Sequence, residues 1–136
     1  MTHDRSDADR SGLARHWRAL TDRFGNALVA ANALALMIAS WMPRDYMVRT
    51  TMFSGHVEHT IAYSLSGAFM FAVLAGRYAA WQVAAALVAY AGVLEVGQLF
   101  VPGRHSGFDD FLFSAAGAVV GVLACAALRR RFAPRG

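Results

Sequence analysis

The sequence contains no lysine, and all thirteen of its Lys/Arg side chains are arginine. Its one cysteine, Cys125, excludes an internal disulfide and a Cys/His zinc spacing. Charge of either sign is scarce. Asp, Glu, Lys and Arg make up 16% of the residues, where soluble domains carry about 25%. That deficit, with a mean hydropathy of +0.36, points to a membrane protein. The net charge of +4 does not indicate nucleic acid, because the arginines gather in the two tails rather than in one folded patch. No internal repeat, low-complexity linker or cofactor motif appears, so 136 residues read as one domain.

What the chain does have is four apolar runs. A bilayer-spanning helix needs about 20 mostly apolar residues, and four segments come close. They are Gly25 to Met42, stopped by Pro43; Val57 to Ala75; Trp81 to Phe100, stopped by Val101-Pro102-Gly103; and Phe111 to Leu128, closed by Arg129, Arg130 and Arg131. The expected fold class is all-α, an integral membrane bundle of four transmembrane helices with a short N-terminal interfacial helix. Residues 1–12 form a polar tail expected to be disordered. Over 13–24, Leu13, Trp17, Leu20 and Phe24 recur at helical spacing with Arg15, Arg18 and Arg23 between them, which suits a helix lying on the membrane surface. Residues 25–128 form the transmembrane domain, and 129–136 a basic tail. A cleaved leader is the rival reading of the first run, but the tail before it is long and its apolar stretch exceeds a usual leader core.

Arginine placement sets the expected orientation. Ten of the thirteen lie in the N-terminal tail (Arg5, Arg10, Arg15, Arg18, Arg23), the C-terminal tail (Arg129, Arg130, Arg131, Arg135) or the link after segment two (Arg77). The other two loops hold only Arg44, Arg49 and Arg104. Both termini are therefore expected on the cytoplasmic side of a multi-pass inner-membrane protein, with the 1–2 and 3–4 loops outside. Trp41, Tyr46, Tyr78 and Trp81 suit interfacial anchors, and Cys125 a packing position near the cytoplasmic end.

The polar residues within the apolar runs gather in the outward half. His56, His59 and Tyr63 share a helical face, with Glu58 pointing elsewhere, and Glu95 and Gln98 share another. Glu95 sits about 7–8 Å below the end of its segment. An ionisable group at such depth costs several kcal/mol unless paired or hydrated. The expectation is an outward-facing polar pocket lined by Glu95, Gln98, His59 and Tyr63, with Arg104 and Asp110 at its rim and a Glu95–Arg104 ion bridge. The Arg104 guanidinium suits anion binding or pairing with a carboxylate; Asp110 suits capping of segment four. His56, His59, Glu95 and Asp110 are metal-ligand types, but His-x-x-His without a third ligand is a weak signal, and no metal is expected. Asn32 reads first as an interhelical hydrogen bond and second as a pocket member. Gly117-x-x-x-Gly121 in segment four allows close helix approach, either within the chain or to a membrane partner.

These residues carry a resemblance. Glu95, Gln98, Pro102-Gly103-Arg104, Asp110, Gly117 and Gly121 resemble the motif string of the VanZ-like family, and His59 with Tyr63 resembles its second-segment motif. The chain departs from the family at two places: Gly55-His56 stands where an Asp-Lys pair is usual, and Ser114 where an Asn is usual. The resemblance covers about residues 25–128. It implies a four-helix integral membrane protein; the family's naming member is an accessory factor that lowers sensitivity to the glycopeptide teicoplanin.

Three functions stay open on the sequence. The first is an accessory or binding protein whose polar residues, Glu95, Gln98, Arg104, Asp110, His56, Tyr63 and Ser114, hold a membrane lipid or lipid-linked envelope precursor. The second is a small intramembrane enzyme with His59 or Glu95 as catalytic base. The third is a subunit docked to a membrane partner through Gly117 and Gly121.

Overall fold

A computed structural model describes residues 3–42, 55–102 and 107–132, with side chains from Leu20 onward. It contains four helices: α1 (His3–Trp41), α2 (Gly55–Leu74), α3 (Ala80–Gln98) and α4 (Phe108–Phe132). Each includes a run long and apolar enough to cross a membrane: Leu20–Trp41, Gly55–Leu74, Ala80–Gln98 and Phe108–Phe132. The fold is the all-α four-helix membrane bundle that the apolar runs indicate.

The N-terminus differs from expectation. One helix runs unbroken from His3 to Trp41. It begins inside the segment expected to be disordered, and residues 13–24 belong to the same helix as the first span. No proline interrupts this stretch, and its single glycines, Gly12 and Gly25, weaken a helix by only about 1 kcal/mol each. Thirty-nine residues extend roughly 58 Å at 1.5 Å per residue, longer than the roughly 30 Å hydrocarbon core needs.

Close packing of α2 on α4 organises the bundle. A Cβ added to Gly117 would stand 2.5 Å from the Thr60 carbonyl oxygen, one on Gly67 would stand 2.6 Å from that of Ala118, and one on Gly121 would fall on that of Ser64. Glycine at these three positions lets the two backbones touch. Thr60 meets Gly117 and Ser64 meets Gly121; the numbers rise together, so α2 and α4 run parallel. Helix α3 packs against α4, with Gly92 facing the Phe111 ring. Helix α1 lies against α2 and α3, parallel to α3, since Ala33 meets Tyr90 and Ser40 meets Gln98.

A five-residue turn joins α2 to α3. Gly76 adopts φ +107° there, a conformation that L side chains rarely take. The Gln82 side chain accepts the Ala79 N–H at 2.8 Å and so caps α3. Arg77 in this turn reaches α1, donating to Asn26 Oδ1 at 2.9 Å and lying 3.5 Å from Asp22.

The buried core is divided along its length. Toward the turn holding Arg77, and toward Arg129–Arg131, it is apolar: Met70, Phe71, Val83, Leu87, Val122 and Ala126. The buried polar side chains, Ser66, Glu95, Gln98 and Ser114, occupy the stretch from mid-bundle to the opposite end. The two ends are called below the arginine end and the polar end.

Candidate functional site

The site is built where α2 and α4 begin and α3 finishes. Because α2 and α4 run parallel, their N-termini lie side by side, and each brings the positive end of its dipole. Glu58 in the first turn of α2, and Asp109 and Asp110 in that of α4, complement this potential. At the arginine end, Arg129, Arg130 and Arg131 fill the last turn of α4, where the dipole favours cations.

His56 and Asp110 form the accessible part. His56 Nε2 lies 3.5 Å from Asp110 Oδ1, with their side chains 46% and 23% exposed. The imidazole stacks on the Phe113 ring at 4.6 Å between centroids. Asp110 thus sits in the first turn of α4, as a helix-start acid should, and also partners His56. Thr60 supports the same corner by donating to the His56 carbonyl at 2.9 Å.

One turn deeper, His59 Nδ1 lies 3.2 Å from Ser114 Oγ. Ser114 has no exposed surface, and Gln98 and Glu95 are 1% and 7% exposed. Tyr63 is buried on the same face of α2 as His59. His56 and His59 join α2 to α4 through Asp110 and Ser114. Gln98 turns toward α1 instead, donating from Nε2 to Ser40 Oγ at 2.6 Å.

Of the residues singled out in the sequence, the structure gathers His56, His59, Tyr63, Glu95, Gln98, Asp110 and Ser114 into this one end. Arg104 lies outside the described residues, and the Glu95–Arg104 bridge with it. Among the described residues no three His, Cys, Asp or Glu side chains are placed to hold a metal ion. Gly117 and Gly121 are buried against α2, so their faces are not open to a partner. The Asn32 side-chain oxygen is buried without a hydrogen-bond partner, which departs from the interhelical bond expected of it. Sequence reasoning missed Ser40, which nothing in the pattern marks. It also missed Tyr90, whose hydroxyl donates to the Ala33 carbonyl at 2.8 Å. A lone tyrosine in an apolar run was the available signal, because a buried phenol seeks a partner. Trp41, read as an interfacial anchor, is half-exposed and also donates from Nε1 to the Leu94 carbonyl at 3.2 Å.

The VanZ/LLP1 family model matches residues 11–129. The chain belongs to the VanZ/LLP1 family. The match covers all four spans, and it extends past the residues that carry the motif string to most of the N-terminal helix. No curated protein and no solved structure matches the chain. Within this VanZ/LLP1 protein, Glu95, Gln98, Asp110, Gly117 and Gly121 of the motif string fall into two structural roles. The glycines set the distance between α2 and α4. The polar members fill the end of the bundle that this distance closes.

Proposed function

We propose that this VanZ/LLP1 protein is an accessory membrane protein that binds a polar or anionic group of a cell-envelope lipid or lipid-linked precursor at its polar end, and thereby alters sensitivity to glycopeptides such as teicoplanin. The observation that supports this most is the division of the core. Burying Ser66, Glu95, Gln98 and Ser114 between mid-bundle and one end, over an apolar layer at the other, suits a site closed at its base. A path across the membrane would need polar groups along its whole length. The arginine distribution supports placing the polar end outside, where envelope precursors are exposed.

Binding fits the geometry better than covalent catalysis. The Ser114 hydroxyl beside His59 has no exposed surface and is not placed as a nucleophile, so an enzyme reading rests on His59 or Glu95 as a base and stays second. A docking role through Gly117 and Gly121 is the least favoured, because α2 occupies both glycines.

The test is native mass spectrometry of the chain purified from a membrane rich in envelope lipids, beside Glu95→Gln. The expected result is a retained polar-headed lipid that Glu95→Gln loses while staying folded. Equal retention by both proteins contradicts the reading.

A further inference from the structure

Helix α1 has two opposite lines of residues. One faces the bundle: Gly25 is buried, Val29, Ala33 and Leu36 pack against the core, and Ser40 meets Gln98. At 100° per residue the other line lies about 180° away. It holds Leu20, Phe24, Leu34 and Ile38, which are 42–68% exposed, and the exposed Ala27 and Ala31. The steps between these positions alternate strictly between four and three residues, a period of 3.5 that matches the a and d positions of a coiled coil.

The pattern does not stop where the span stops. The next two steps toward the N-terminus, three and then four, fall on Trp17 and Leu13. The bundle-facing line, continued in the same direction, turns polar with Asp22, Arg18, Arg15 and Ser11. Leu20–Trp41 is already about 33 Å long at 1.5 Å per residue, enough for the roughly 30 Å hydrocarbon core. Lipid can cover the exposed line within that core, but not the turns before it. The helix runs unbroken through this boundary, so those turns do not lie flat on the membrane surface. An apolar line that leaves the bilayer on a continuous helix needs a cover that leaves it too.

We propose that this line is a self-association seam, and that two copies of the chain pair through α1 as a parallel coiled coil from Leu13 to Ile38. Two copies inserted the same way bring identical lines together in parallel and in register, which makes a closed two-fold contact. Trp17 and Phe24 can bury about 150–250 Å² each. With the leucines and isoleucine of the seam they reach the scale of the roughly 800 Å² per partner of a standard interface. Ala27 and Ala31 let the backbones approach inside the membrane. Of the positions flanking the seam from Ala14 to Met37, only Arg23 carries a formal charge, so no like-charged pair opposes the contact. The seam ends at Ile38 because Trp41 turns to α3, donating to the Leu94 carbonyl. The pair presents two polar ends on one face of the membrane.

The test is disulfide crosslinking of the full chain in vesicles at low protein-to-lipid ratio, with single cysteines in a Cys125→Ala background. A disulfide needs Cα atoms about 4.4–6.8 Å apart. Leu20→Cys, Ala27→Cys and Ala31→Cys stand on the seam and should convert to linked dimers. Asp22→Cys and Ala39→Cys stand off it and should remain monomers. Leu13→Glu with Trp17→Glu lies before the span and leaves its composition unchanged. Added to Ala31→Cys, this pair of charges should cause loss of the crosslink, with thermal unfolding in detergent showing that the bundle is intact.

Equal crosslinking at all five positions is random collision and overturns the seam, as does crosslinking at none. Dimers through Ala27→Cys and Ala31→Cys that ignore Leu13→Glu with Trp17→Glu overturn the continuous coiled coil, because the turns before the span then take no part. Crosslinks formed in cell membranes to a chain of different mass place another protein on the line and overturn self-association.

Discussion

His59 on α2 and Ser114 on α4 meet at 3.2 Å in a place where Ser114 has no exposed surface. The contact crosses the tightest helix pair in the molecule, one turn inside the polar end. Its two partners are the histidine of the second-segment motif and the serine that stands where the family usually has asparagine.

This contact should be measurable as a coupling. Interhelical hydrogen bonds in membrane proteins average about 0.6 kcal/mol by double-mutant cycle. His59→Ala, Ser114→Ala and the double variant, unfolded from mixed micelles, should give a coupling of about that size. Additive effects would mean that the two side chains do not bond.

The close glycines of the α2–α4 contact predict a loss that Gly92 does not share. Gly121→Ala puts a methyl group on the Ser64 carbonyl, so α2 and α4 must separate, which should destabilise by about 1–3 kcal/mol. Gly92→Ala meets only the Phe111 ring at 3.5 Å, an ordinary contact, and should change stability by no more than about 0.5 kcal/mol. Thermal unfolding in detergent separates these outcomes. Similar losses in the two variants would contradict the parallel α2–α4 packing.

Arg77 joins the α2–α3 turn to α1 through Asn26 and a largely exposed Asp22. Exposed ion pairs contribute about 0–1 kcal/mol and are screened by salt. Arg77→Ala should therefore lower thermal stability slightly at low salt and less at high salt. A large, salt-independent loss would show that Arg77 supports the core instead.

The arginine distribution predicts an orientation that is open to direct test. In a Cys125→Ala background, a membrane-impermeant maleimide applied to intact cells should label Ser106→Cys. Arg135→Cys should react only after the cells are opened. The reverse pattern places the polar end inside and removes the envelope-facing reading.

The spans were legible because a bilayer imposes a length, and four runs of the right length and composition are plain in the sequence. The polar members stood out as ionisable or amide groups inside or beside apolar runs, the family resemblance matched most of them, and the structure brings seven to one end. The unbroken α1 was not legible. Surface amphipathicity in Leu13, Trp17, Leu20 and Phe24 reads the same whether a helix lies apart or continues into a span. The G-x-x-x-G pair announced a close approach but not its partner, because Thr60 and Ser64 take part through backbone atoms that carry no sequence signal. The contacts of Ser40 and Trp41 with α3 were hidden for the same kind of reason. Gln98 reads as a pocket residue by type, and only the arrangement of α1 beside α3 shows that its amide is engaged by Ser40.

The most direct measurement is teicoplanin susceptibility in a sensitive bacterium carrying this chain, compared with Glu95→Gln, His59→Ala and Arg77→Ala at matched membrane levels. The account predicts that the unaltered chain and Arg77→Ala raise resistance, while the two polar-end variants do not. Resistance retained by Glu95→Gln and His59→Ala would contradict the claim that the polar end carries the function, and so would a chain that changes nothing.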